Sequence, residues 1–118
     1  AEALPRHGEV VCIDNFSDEP AARDIFLSFV NASAAPAKVE LVEEAAHIAL
    51  PLLAQRQAVF DVVFIDADKE GQIQYLDALL DPVACLVRPG TVIVVDNTLW
   101  YSRVLRPAAD QDATTAAV

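Results

Sequence analysis

Residues 60–71 read "FDVVFIDADKEG", and how that stretch is parsed decides the fold. Val62 to Ile65 form a short unbroken apolar run, the pattern of a strand buried on both faces. The run stops at Asp66, Asp68 and Lys69. In an open parallel sheet, ligands bind outside the carboxyl ends of the strands. Charges stationed there are therefore candidates for chemistry and not only for solvation.

The same arrangement recurs on either side. "EVVCID" (9–14) predicts a strand ending in Asp14, "APAKVELV" (35–42) a loop entering a strand, and "TVIVVDN" (91–97) a strand closing on Asp96 and Asn97. "SDEP" (17–20) offers an N-cap, first-turn acids and a proline. The helix after it places Ile25, Phe26, Phe29 and Val30 on one face. "EEAAHIALPLLAQ" (43–55) reads as a helix interrupted near Pro51, and "GQIQYLDALL" (71–80) as a helix closed by Pro82. "RPG" (88–90) makes a turn, and the tail from Pro107 is expected to fray. Phe26, Phe29, Phe60, Phe64 and Leu79 are expected in the core by spacing. The order β-α-β-α-β-α-β predicts an α/β protein with a mostly parallel sheet, in one domain over 1–118.

Composition narrows the function. Eight Lys and Arg against 18 Asp and Glu give a net charge of −10. That excess repels phosphate backbones and anionic lipid, so neither nucleic acid nor membrane is an expected partner. No apolar run approaches the roughly 20 residues of a membrane span, and a cytoplasmic location is expected. Cys12 and Cys85 are expected as reduced core thiols. With two Cys and two His, a zinc site of the usual spacing cannot be built. His47 is expected at the surface.

Three predicted strands end in acids: Asp14, Asp66, and Asp96 with Asn97. Asp and Asn also simply begin loops. Gathered on one edge, however, two carboxylates and an amide oxygen form the hard oxygen set that Mg²⁺ or Ca²⁺ takes. Lys69 beside such an ion would serve as a general base for a hydroxyl; the plainer alternative pairs it with Asp66 or Asp68, or leaves it in water.

"FDVVFIDADK" and "VRPGTVIVVDNTLW" (87–100), with the opening "AEALPRHGEVVCID" and the closing "RVLRP", resemble the cation-dependent O-methyltransferase family that includes the caffeoyl-CoA and catechol O-methyltransferases. The resemblance implies the Rossmann-like class I methyltransferase sheet, S-adenosylmethionine as methyl donor, and Mg²⁺ (or Ca²⁺ or Mn²⁺) as cation. It implies one hydroxyl of a small aromatic vicinal diol as acceptor, with a CoA thioester as one form, and a homodimer. Matched position by position, Asp66, Asp96 and Asn97 fall on the metal ligands and Lys69 on the base, with Asp66 also at the reaction centre. Asp14, Ala46 and Asp66 fall on cofactor-binding positions, and Trp100 and Tyr101 on acceptor-binding ones.

The chain departs from that pattern in places. Its glycines are Gly8, Gly71 and Gly90, too dispersed for the family's glycine-rich cofactor turn. Glu44 stands where a glycine is usual, and Tyr101 and Ser102 follow the tryptophan. The sheet is expected to be incomplete, lacking the central strand between those bearing Asp14 and Asp66 and also the terminal strands. The chain thus reads as an internal piece of such an enzyme or a shortened relative. One alternative is a truncated, non-catalytic relative that dimerises or binds through its open sheet edge. A remoter one is a phospho-accepting receiver domain built on Asp14 and Asp66. Arg103 and Arg106 are placed to approach an anionic acceptor, or else are solvated.

Overall fold

The computed structural model describes residues 4–5, 7–34, 38–112 and 115. Among the described residues four strands and three α-helices alternate, in the order the sequence predicts. By contacts the chain divides into two compact units, Ala1–Ala49 and Leu50–Val118.

In the first unit, β1 (Glu9–Ile13) runs parallel to β2 (Lys38–Val42), Glu9 opposite Lys38 through Ile13 opposite Val42. The helix α1 (Pro20–Ala32) connects them, because a parallel pair needs a crossover that a tight turn cannot supply. Pro20 starts α1 with its φ already helical and no N–H to satisfy. The expected side-chain cap is not made, since Glu19 occupies the cap position and Ser17 Oγ instead donates to Asp18. Arg23 on α1 holds Glu43, the first residue past β2, with a two-pronged ion pair whose second prong spans 2.9 Å.

In the second unit, β3 (Val62–Ile65) runs parallel to β4 (Val92–Val95), Val62 opposite Val92 through Ile65 opposite Val95. α2 (Ala46–Gln55), with Pro51 inside it, begins in the first unit and ends in the second, and α3 (Gln72–Leu80) forms the crossover. Gly90 turns at φ +99°, a left-handed conformation that suits a residue without a Cβ. Thr91 then locks the turn by donating to the Phe60 carbonyl at 2.7 Å and accepting from the Arg88 N–H at 3.1 Å. Leu50, Leu53, Ile65, Tyr75, Leu79 and Leu86 are its buried apolar side chains, with Leu86 the most completely enclosed.

Several sequence expectations need correction. Phe29 and Phe64 are 73% and 63% exposed, while Phe26 and Phe60 are half-buried and Leu79 alone of the five is fully buried. The cause is plain for Phe64. Alternation along a strand puts Val62 and Phe64, with Val92 and Val94 opposite them, on one face of the β3–β4 pair, and all four are exposed. Parallel sheets ordinarily bury both faces, and here the described residues leave this one bare. On α1, Ile25 and Phe29 point outward while Phe26 and Val30 are half-buried, so the apolar stripe is wider than the surface it covers. Both cysteines are free, but Cys85 is exposed at φ +52° and only Cys12 is partly enclosed, its thiol pushed up by burial. Of the tail expected to fray, Ala108–Asp110 make a 3₁₀ turn and the Gln111 side chain donates to the Val104 and Arg106 carbonyls, while residues 113, 114 and 116–118 lie outside the described ones. Among the described residues no helix is long and apolar enough to cross a membrane.

Replacing Leu86, 1% exposed, by alanine should cost about 2–5 kcal/mol in urea denaturation. Val83→Ala nearby, at a side chain 87% exposed, should stay within about 0.5 kcal/mol of the parent.

Candidate functional site

The in-register ladder of β3 and β4 fixes the geometry of the site. One residue past the Ile65–Val95 pair, the Asp96 N–H donates to the Ile65 carbonyl at 2.9 Å. Asp66 and Asp96 therefore leave neighbouring strands at the same level, on backbones separated by about the 4.8 Å spacing of paired strands. Asn97 follows at φ +59°, the left-handed region that asparagine tolerates better than most residues, and its N–H donates to Asp96 Oδ1 at 2.7 Å.

Lys69 opens a 3₁₀ turn, Lys69–Gly71, directly after the β3 end. Its side chain is only 10% exposed, and its Nζ donates to Asp66 Oδ1 at 3.2 Å. Of the partners weighed from sequence, the structure selects Asp66. Asp68 has a different task, with both oxygens committed. Oδ2 accepts the Gly71 N–H at 2.7 Å and Oδ1 accepts the Tyr75 hydroxyl. Burial, and secondarily the Asp68 carboxylate, push the Tyr75 hydroxyl from its ordinary value of 10.0 up to about 12. A Cβ on Gly71 would collide with the end of the Tyr75 ring and lie 2.6 Å from Asp68 Oδ2, so a larger residue there would displace that hydrogen-bonded pair.

The fit to a hard cation follows from the oxygens left over. Among the described residues Asp66 Oδ2, Asp96 Oδ2 and the Asn97 side chain have no hydrogen-bond partner. Two carboxylates and a carboxamide at one level make an oxygen-only donor set, completed in such sites by water or substrate oxygens. Among the described residues, no group of three or more His, Cys, Asp or Glu side chains is placed to hold a metal.

Asp14 closes β1 in the first unit, where its N–H donates to the Val42 carbonyl at 3.2 Å. Its Oδ1 accepts the Phe16 N–H at 2.7 Å, and Oδ2 has no partner among the described residues. Ala46 is the half-buried first residue of α2, and Glu44 is exposed. The glycine-rich cofactor turn is not among the 118 residues. The side chains of Trp100 and Tyr101 lie outside the described ones, although their backbone begins a 3₁₀ helix, Trp100–Leu105. Arg103 pairs with Asp112 at 3.8 Å, and His47 is exposed.

A shallow groove of about 360 Å³ in the second unit is lined by residues such as Leu50, Pro51, Ala54, Ala78, Val83 and Leu86, and by none of the strand-end acids. Its wall is mostly apolar, with Gln55 and Asp81 as the polar members. Sequence reasoning did not find Gln72 and Tyr75 as parts of the site. The spacing of Asp68 to Gly71, that of a side-chain cap at a helix start, was the one signal pointing to them.

A family model described as "O-methyltransferase" matches residues 1–118. A caffeoyl-CoA O-methyltransferase of Populus kitakamiensis is 35% identical over 113 residues, covering 94% of this chain and 45% of the relative. Tricin synthase 1 of Oryza sativa subsp. japonica is 37% identical over 120 residues, covering 91% and 42%. A flavonoid 3',5'-methyltransferase of Vitis vinifera is 29% identical over 114 residues, covering 94% and 46%. The chain thus spans somewhat less than half the length of these relatives.

In a Tyr101→Phe background, which isolates Tyr75, tyrosinate absorbance should titrate near pH 12. Asp68→Asn should lower that midpoint while leaving it above 10.0, since burial is the larger cause. Folding raises this group, so its contribution to stability is complete below pH 10 and is lost as pH climbs towards 12.

Proposed function

The chain belongs to the O-methyltransferase family, a family of S-adenosylmethionine-dependent enzymes, and from that premise we propose that the protein methylates one hydroxyl of a vicinal aromatic diol with the help of a divalent cation. The observation that supports this reading is the side-by-side exit of Asp66 and Asp96 from β3 and β4, with Lys69 held against Asp66.

Asp66 and Asp96 supply two negative charges, and Asn97 a neutral oxygen, to one hard ion. Mg²⁺ is the natural occupant, with Ca²⁺ or Mn²⁺ as substitutes. When bound, such an ion supplies Lewis acidity to a hydroxyl oxygen. Lys69 Nζ is the proton acceptor. Its stem is buried, so the head is confined beside Asp66, which stabilises the ammonium formed when the neutral amine takes the acceptor's proton. Two adjacent hydroxyls on a rigid ring suit a site whose acidic groups lie side by side, because both oxygens meet it without further loss of rotational freedom. The named relatives point towards phenolic acceptors, caffeoyl-CoA and flavonoids among them. Asp14 and Ala46 are assigned to the donor, and Trp100 and Tyr101 to the acceptor. With all 118 residues matched by an enzyme family, neither the receiver reading nor the non-catalytic module is favoured.

In the full-length protein, Asp66→Ala and Asp96→Ala should each reduce metal-dependent turnover by about a hundredfold or more, while the thermal unfolding transition stays cooperative. EDTA should abolish turnover and Mg²⁺ should restore it. Turnover indifferent to EDTA would count directly against the cation.

A further inference from the structure

The candidate ligands sit on two loops, and each loop is tied down by a different side chain of α3. Gln72, the first residue of α3, is 3% exposed. Its Nε2 donates to the Asp96 carbonyl at 3.3 Å. That carbonyl lies one residue past the end of β4, where the ladder no longer provides a donor, and the chain then reverses into the left-handed conformation of Asn97. A buried amide that reaches a carbonyl at this point fixes the peptide plane between the two proposed ligands.

Tyr75 lies one turn further along, 8% exposed, with its hydroxyl on Asp68. Asp68 in turn holds the Gly71 N–H, closing the short loop that carries Lys69 back to Asp66. Gln72 Nε2 and the Tyr75 hydroxyl are thus directed at the backbone and side chains that carry the reactive groups.

We propose that Gln72 and Tyr75 are the positioning residues of the cation site, Gln72 setting the Asp96–Asn97 pair and Tyr75, through Asp68, setting the Asp66–Lys69 turn. The proposal rests on the cation reading above. Outer partners of this kind typically contribute about 10–100-fold to metal affinity or activity, because a ligand free to rotate must be ordered again on each binding event.

The test uses the full-length protein and Mn²⁺ as a spectroscopic probe, with free Mn²⁺ read by electron paramagnetic resonance and steady-state kinetics in parallel. Gln72→Met keeps the length and apolar contact of the side chain and removes the N–H. It should weaken Mn²⁺ binding by about tenfold or more. Tyr75→Phe removes only the hydroxyl and should lower kcat by about tenfold while the KM for S-adenosylmethionine stays constant. Gln72→Asn retains the donor but falls one carbon short. It should also weaken Mn²⁺ binding, and it stands in should the methionine variant not fold. A purely structural role would lower the melting temperature of all three and leave Mn²⁺ affinity and kcat of the folded protein unchanged; that result overturns the proposal. If the parent binds Mn²⁺, loses it in Asp66→Ala, and keeps it in the Gln72 and Tyr75 variants with kcat intact, this inference fails alone. A parent that does not bind Mn²⁺ overturns it together with the cation reading.

Discussion

The candidate site depends on one constraint, the parallel register of β3 on β4. Four residue pairs, Val62 with Val92 to Ile65 with Val95, set the level at which both strands stop. The next backbone bond, from the Asp96 N–H to the Ile65 carbonyl, carries that alignment past the last pair and into the loops. A slip of one residue would turn every side chain of one strand to the opposite face and separate the two carboxylates along the strand axis. Because the strands are parallel, both acids emerge at the same end, which an antiparallel pair joined by a tight hairpin would not achieve. Alignment of the charges is thus a by-product of aligning valines and isoleucines.

Around that ladder the polar side chains divide the work. Asp66 keeps one oxygen on Lys69 and one without a partner among the described residues, and Asp96 keeps one on the Asn97 amide and one likewise uncommitted. Asp68, only two residues from Asp66, has both oxygens consumed by Gly71 and Tyr75 and serves as scaffold. The same residue type therefore does opposite jobs within three positions, and what separates them is the number of donors each meets. Burial accentuates the division. Lys69, Gln72 and Tyr75 are enclosed, which raises the cost of leaving their polar atoms unpaired and so narrows the geometries open to them.

The apolar surface tells a second story. Val62, Phe64, Val92 and Val94 form an uncovered strip on a sheet type that ordinarily buries both faces, and Ile25 with Phe29 do the same on α1. Within each unit the strands form a single parallel pair, β1 with β2 and β3 with β4. The amino acids chosen for these positions suit a larger packed body than either unit makes from the described residues.

How much was legible beforehand follows from which forces are local. Strand and helix identities could be read because apolar periodicity, Pro20 at a helix start and Gly90 in a turn act over a few residues. Asp66, Asp96, Asn97 and Lys69 stood out because charge at the end of an apolar run is itself a local anomaly. Exposure could not be read, since it depends on what lies across from a side chain; Phe29 and Phe64, placed inside by spacing, and Cys85, placed inside by its apolar neighbours, stand outside. Nor could the choice of Asp66 as partner for Lys69, or the commitment of Asp68 to Tyr75, because either acid was within reach along the chain. The sequence by itself determined the order of elements and the residues able to do chemistry. Which oxygens remain open depends on tertiary structure, because hydrogen-bond partners 24 residues apart in the chain, such as the Gln72 amide and the Asp96 carbonyl that accepts from it, meet only once the strands are paired.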